Sequence, residues 1–185
     1  MDPAAADAIA RTREWLEKAV IGLNLCPFAK PVLLKNQIRF QASTARTEEE
    51  LLHDLRLELT LLADVAPEEI DTTLLIHPQV MNDFLEYNAF LDSAEELLVE
   101  LNLEGVIQIA SFHPNYYFAD TDPEDVSNCT NRSPFPTLHL IREASLERAI
   151  ESHPDTAEIY KTNIETMRRL GHEGWKRLFL PTSGR

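Results

Sequence analysis

Two histidines in this chain share one local setting. His77 closes the run Thr72-Thr73-Leu74-Leu75-Ile76, His113 closes Val106-Ile107-Gln108-Ile109-Ala110-Ser111-Phe112, and a proline follows each at once. Proline holds the residue before it extended and stops a strand there. If the two strands are parallel, both imidazoles stand on one carboxyl edge, where open α/β sheets bind ligands. Imidazole is neutral near pH 7 and serves as acid, base or metal ligand. A single histidine at a strand end is more often a polar cap on a core. Two at matched positions make His77 and His113 the first candidates for catalysis.

A long connection leaves from the same place. Residues 113–136 show almost no helical period, and the stretch is long for a link inside a compact domain. Tyr116, Tyr117, Phe118 and the prolines of Ser133-Pro134-Phe135-Pro136 favour an ordered loop over a floppy acidic insertion. Arg132 offers a planar fork suited to carboxylate or phosphate. Asn131 and Ser133 can help hold the same anion or can close a turn. His139 lies in the strand reached by this loop, and an antiparallel strand would carry it back to the edge. Arg132, Asn131, Ser133 and His139 are therefore the substrate-binding candidates.

The third catalytic candidate is Cys26, in the turn Asn24-Leu25-Cys26-Pro27-Phe28-Ala29. Cys26 with His113 would form a nucleophile and its base. The blander reading is a buried structural thiol. A metal site can be composed from His77, His113, His139 and Asp120 or Asp122, although no compact ligand motif such as HExxH is present. Glycine-rich nucleotide motifs and GxSxG are also missing, so no cofactor is named by the sequence.

The elements that must position these residues follow from periodicity. Residues 4–21 carry one apolar stripe and read as a helix stopped at Gly22, and Pro27 and Pro31 are expected to end any helix beyond it. Ile38-Arg39-Phe40-Gln41 reads as a strand that could begin at Val32. Thr47 and Glu50 form a capping box for a helix reaching Asp64. The β-rich run 72–76 has no polar alternation, as in a strand buried on both faces. Residues 82–101 repeat Phe84, Tyr87, Leu91, Ala94 and Leu98 on one helical face, and Asn102 and Gly105 end it. A strand at 137–142 follows the loop. Ser145 is then expected to cap a short helix ended by Pro154, and Asp155 to cap a last one ending before Gly171. Arg142 and Glu143 read as a structural ion pair or a surface pair, not as catalysts. The tail 179–185 is expected to fray.

This order predicts an α/β fold: a largely parallel or mixed four-stranded sheet covered by helices. With an antiparallel last strand the order is thioredoxin-like βαβαββα, with one extra helix at each end. The 185 residues and 44% hydrophobic content suit one domain, with its core over about 8–175.

Charge narrows the partners. The net charge is −14, and residues 47–104 hold sixteen Asp or Glu against one Arg. Such a surface repels a phosphate backbone, so nucleic acid is excluded as a partner. No apolar run approaches the ~20 residues of a membrane helix. Two cysteines without a CxxC, and no signal-peptide pattern, place the expected setting in the cytoplasm.

The turn Asn24 to Ala29, the segment Ser111-Phe112-His113-Pro114, and Asn131-Arg132-Ser133-Pro134-Phe135-Pro136 leading into Leu138-His139-Leu140-Ile141-Arg142-Glu143 resemble the bacterial DUF1415 family over roughly residues 8–175. The resemblance implies a bacterial, cytosolic setting and supplies no catalytic residue. The functional expectation therefore rests on the residues themselves: an enzyme acting on a small anionic metabolite through a His/Arg site at the sheet edge. The alternative is a non-catalytic binding or regulatory protein that docks a partner through the 113–136 loop and the C-terminal helix. Oligomeric state is not read from the sequence.

Overall fold

A computed structural model describes residues 2–152 and 156–180. The first helix, α1, spans Pro3–Trp15. Asp2 caps it by accepting from the backbone N–H of Ala4, and Pro3 takes the first-turn position where its missing N–H costs nothing. The helix does not run on regularly to Gly22. From Leu16 to Ile21 it widens to a π-helical turn, with Gly22 N–H donating to Glu17 O and Leu25 N–H to Val20 O. Gly22 has an ordinary helical φ of −62°, so a left-handed conformation is not why it is glycine. A Cβ there would meet the carbonyl oxygen of Lys18 at 2.2 Å. The left-handed residue is Asn24, at φ 53°.

A short helix, α2, covers Ala29–Leu34 and corrects the expectation that Pro27 and Pro31 forbid one. Pro31 sits in the first turn, where no backbone N–H is needed. Strand β1 (Ile38–Ala42) then begins at Ile38 and not at Val32. Helix α3 (Glu48–Asp64) has Thr47 Oγ1 accepting from Glu50 N–H, while the Glu50 carboxylate reaches back to Arg46 N–H. Strand β2 (Thr72–Ile76) is buried throughout. Helix α4 (Phe84–Glu100) is capped by Asp83, and strand β3 spans Ile107–Phe112.

A 3-10 turn, Val126–Asn131, interrupts the long loop. Strand β4 (Thr137–Arg142) leads directly into α5 (Glu143–Glu151). Two local expectations change here. Arg142, not Ser145, is the N-cap of α5, and Ser145 turns to Asp71 instead. Arg142 does not pair with Glu143; it donates to the carbonyls of Ile70 and Val65, tying the chain ahead of β2 to the end of β4. Helix α6 (Thr156–Arg177) is broken at Gly171, whose φ of 67° suits only a residue without Cβ. The caps expected at Asp155 and the helix stop at Pro154 lie outside the described residues, as does the tail 181–185.

The sheet order is β1-β2-β4-β3. Strands β1 and β2 are parallel, and β4 runs antiparallel to both β2 and β3. The chain order βαβαββα is therefore the thioredoxin-like one, with helices added at both ends.

Side chains alternate across the sheet. Leu75, Ile107, Leu138 and Leu140 face α3 and α4, where Leu51, Leu55, Leu59, Tyr87, Phe90 and Leu98 form the larger core. On that face Arg39 grips Glu58 of α3 with two bonds, at 2.6 and 2.9 Å. Ile38, Phe40, Leu74 and Phe112 face the other way, against Trp15, Leu16, Ala19 and Val20. No helix among the described residues is long and apolar enough to cross a membrane.

Candidate functional site

The two His-Pro histidines do meet. Strands β2 and β3 point the same way with β4 between them, so His77 and His113 emerge on one edge and one face. Both pack on Tyr87, His77 stacked at 5.7 Å and His113 tilted at 5.1 Å between ring centroids. Both are also fully buried and bound to backbone. His77 donates Nδ1–H to Val80 O at 3.1 Å. His113 donates Nε2–H to Met81 O and accepts at Nδ1 from Asn115 N–H. His113 is thus fixed as one neutral tautomer with no nitrogen to spare. Burial pushes His77 down to about 4 and lowers His113 as well, so neither carries charge near neutrality. Nε2 of His77 is buried without a partner.

The loop candidates are engaged in holding the loop. Arg132 donates from Nε to Tyr116 O and from Nη2 to Pro123 O. Asn131 donates to Ser111 O, and Ser133 to Phe135 O. The organising residue is one the sequence reading passed over. Fully buried Asn128 accepts at Oδ1 from Phe118 N–H and Thr121 Oγ1–H and donates to Asp122 O. An Asn among many loop polars carries no signal that marks it as the hub.

His139 does not return to the edge. It sits inside β4, opposite Leu74 and Ala110, on the α1 face of the sheet. His77 is an odd number of residues from Leu74 and so points to the other face. The sheet thus separates His139 from His77 and His113, and the metal constellation does not assemble. Among the described residues no three His, Cys, Asp or Glu side chains are placed to hold a metal.

What His139 lines instead is a cavity of about 390 Å³ on the α1 face. Trp15, Leu16 and Val20 from α1 and its π turn form one wall, Cys26 and Phe28 another, and α5 a third. The π turn rotates this wall relative to a regular helix; such turns occur often at functional sites. The strand register gives the cavity a direction. Thr72 and Ile141 face each other at one end of the sheet, Leu74 and His139 one pleat further, and Phe112 with Thr137 one pleat beyond that. Polar groups gather at the Thr72 end, where Asp71, Ser145 and Arg148 line the wall. Ser145 gives its proton to Asp71 Oδ1 at 2.5 Å and accepts from Arg148 Nη2 at 2.9 Å. The Phe112 end is apolar.

The chemistry of His139 follows from its neighbour. Thr72 donates its hydroxyl proton to Leu140 O at 2.6 Å. The contact of 2.7 Å between Thr72 Oγ1 and His139 Nε2 must then be an N–H donated by the imidazole. Burial alone pushes His139 down to about 4, so the ring is neutral at pH 7. Its Nδ1 therefore carries a lone pair, and that atom has no hydrogen-bond partner among the described residues. Cys26 lies on the same cavity wall; burial raises its thiol, which stays protonated. Cys26 does not stand beside His113, which packs on Tyr87 across the sheet. The fold puts Cys26 in the cavity of His139, where the strand register turns the imidazole and the turn after Ile21 brings the thiol.

The family model described as protein of unknown function (DUF1415) matches residues 7–177. The chain belongs to this family. No curated protein and no solved structure matches it.

Proposed function

We propose that this DUF1415 protein is an enzyme acting on a small molecule with an apolar body and an anionic head, bound in the α1-face cavity with His139 as its proton acceptor. The observation that carries the reading is the unpartnered Nδ1 of a neutral imidazole lining a mostly apolar cavity. A general base needs such a lone pair, a site that excludes water and a pKa close to the working pH; burial holds His139 near 4, and an anionic group bound beside the ring would raise it. The body of the ligand would lie toward Phe112, Val20 and Trp15, and its head toward Arg148 and Ser145. At about 30 Å³ per water-sized group, the cavity takes roughly a dozen non-hydrogen atoms. An anionic head is supported by charge placement. The acidic stretch 47–104 includes α3 and α4, which cover the opposite face, while residues 1–46 hold seven Lys or Arg against four Asp or Glu.

One feature supports the alternative of a partner-docking protein. Tyr160 of α6 is 59% exposed beside Phe118 of the long loop, with ring centroids 6.5 Å apart.

Decanoate, with decanol as its uncharged control, tests the enzyme reading by thermal stabilisation, since a ligand of the folded state raises Tm. Decanoate should stabilise the protein and decanol should do so less. The variant His139→Gln keeps a donor for Thr72, so it should bind decanoate yet lose turnover of any substrate that an activity screen returns. No stabilisation by decanoate, or full turnover by His139→Gln, would overturn the reading.

A further inference from the structure

We propose that a second cleft, at the carboxyl end of β3, binds a small organic anion with a planar body between Arg11 and Arg132. The cleft, of about 400 Å³, lies between α1, the Pro114 and Ser133 ends of the long loop, and the end of α6. It shares only Trp15 with the α1-face cavity and is independent of the function proposed for that cavity.

The charge balance points to an anion. Arg132 has no carboxylate within ion-pair distance among the described residues, and its carbonyl bonds to Tyr116 and Pro123 fix the plane of its fork. A guanidinium has N–H groups left over after two such bonds. Arg11 lies over the Phe135 ring at 4.6 Å, and its carboxylate partner, Asp7, is exposed and 3.8 Å away, so that pair holds it weakly. Glu14, also on the wall, is taken by Lys18 at 2.6 Å. Two guanidinium groups from separate elements thus line one space against a single carboxylate, that of Glu14, which Lys18 holds. Guanidinium recognises carboxylate and phosphate oxygens through paired N–H bonds.

The walls suggest the rest of the ligand. Trp15, Trp175 and Phe179 line the same cleft, and Trp175 meets Phe179 edge-on at 5.4 Å. Aromatic walls beside a cationic fork suit a flat ring that carries the acidic group.

Both tryptophans of the chain line this cleft, so intrinsic fluorescence reports its occupancy. The full-length protein is titrated with benzoate, with inorganic phosphate and with neutral benzamide. Benzoate should give a saturable change, phosphate should compete with it, and benzamide should have little effect. The variant Arg11→Gln, at an exposed helix position, should fold normally and weaken benzoate binding by about tenfold, as expected for losing one charged hydrogen-bonding partner. Arg11 lines no part of the α1-face cavity, so its loss separates the two sites. No saturable change with benzoate, equal binding of benzamide, failure of phosphate to compete, or unaltered binding by Arg11→Gln would each overturn the proposal.

Discussion

Thr72 fixes the protonation pattern of His139. Its hydroxyl oxygen lies 2.7 Å from His139 Nε2, and its only proton is committed to Leu140 O. The pair spans two strands that meet only through the antiparallel register of β2 and β4. Replacing Thr72 by Val keeps the shape and removes the acceptor, leaving the Nε2–H of a deeply placed imidazole unpaired. We expect a loss of about 1–3 kcal/mol, the cost of such a group, measured by urea unfolding. Nitrogen chemical shifts should show one neutral tautomer, protonated at Nε2, in the wild type and a mixture in Thr72→Val.

Acid should destabilise this protein through its histidines before most carboxylates titrate. His77 and His139 are each held near 4 by burial, against an unfolded value of about 6.5. A depressed histidine binds fewer protons folded than unfolded, so stability is complete above the unfolded value and falls as pH drops from about 6.5 toward 4. Each such group contributes a loss of roughly 3 kcal/mol over that window, by the free-energy equivalent of a pKa unit. The variant His77→Asn retains a donor for Val80 O, and its unfolding free energy should fall less steeply between pH 6.5 and 4. Equal slopes in the two proteins would show that His77 is not held neutral in the fold.

Gly22 should tolerate no side chain. The π turn brings Lys18 O to 2.2 Å from where a Cβ would stand, and the helix, not a flexible side chain, supplies that atom. Gly22→Ala must unwind the turn or shift α1, at a cost of about 1–3 kcal/mol as for other overpacked positions. Because Leu16 and Val20 of the same turn line the α1-face cavity, decanoate stabilisation should fall along with Tm. A variant as stable as wild type would show that the turn relaxes to a regular helix without penalty.

The parts of the fold that repeat along the chain were legible in it. Phe84, Tyr87, Ala94 and Leu98 announce α4, the apolar run 72–76 announces a doubly covered strand, and the two His-Pro ends are placed together as their spacing suggests. The illegible parts depend on pairing or on parity. His139 changes face with a shift of one residue in register, and nothing local fixes that register. Cys26 lines the same cavity from the turn that follows the π-helical residues Leu16–Ile21, whose wider winding leaves no periodic signature in six residues. Pro31 looked like a helix breaker because its position within the first turn of α2 shows only once that helix has a start.

Asn128 should prove more damaging to lose than any of the loop residues singled out by their chemistry. Its side-chain oxygen accepts two bonds, from Phe118 N–H and Thr121 Oγ1–H, and its nitrogen donates to Asp122 O, so one amide closes three turns of the loop. It is fully buried, and its neighbour Cys129 packs with Leu25 and Met167, joining the loop to α6. Asn128→Ala leaves the half-buried Phe118 N–H without its acceptor, at a cost of about 1–3 kcal/mol, while the Thr121 hydroxyl keeps only Phe118 O at 2.9 Å. Asn128→Asp keeps the acceptor but buries a charge and sets it against Asp122 O, so it should not rescue. Hydrogen exchange should show the amides of 116–131 losing protection in both variants while β2 and α4 keep theirs. Protection lost equally across the chain would instead mean that the loop and the sheet open as one unit, and that the loop is part of the core's own cooperativity.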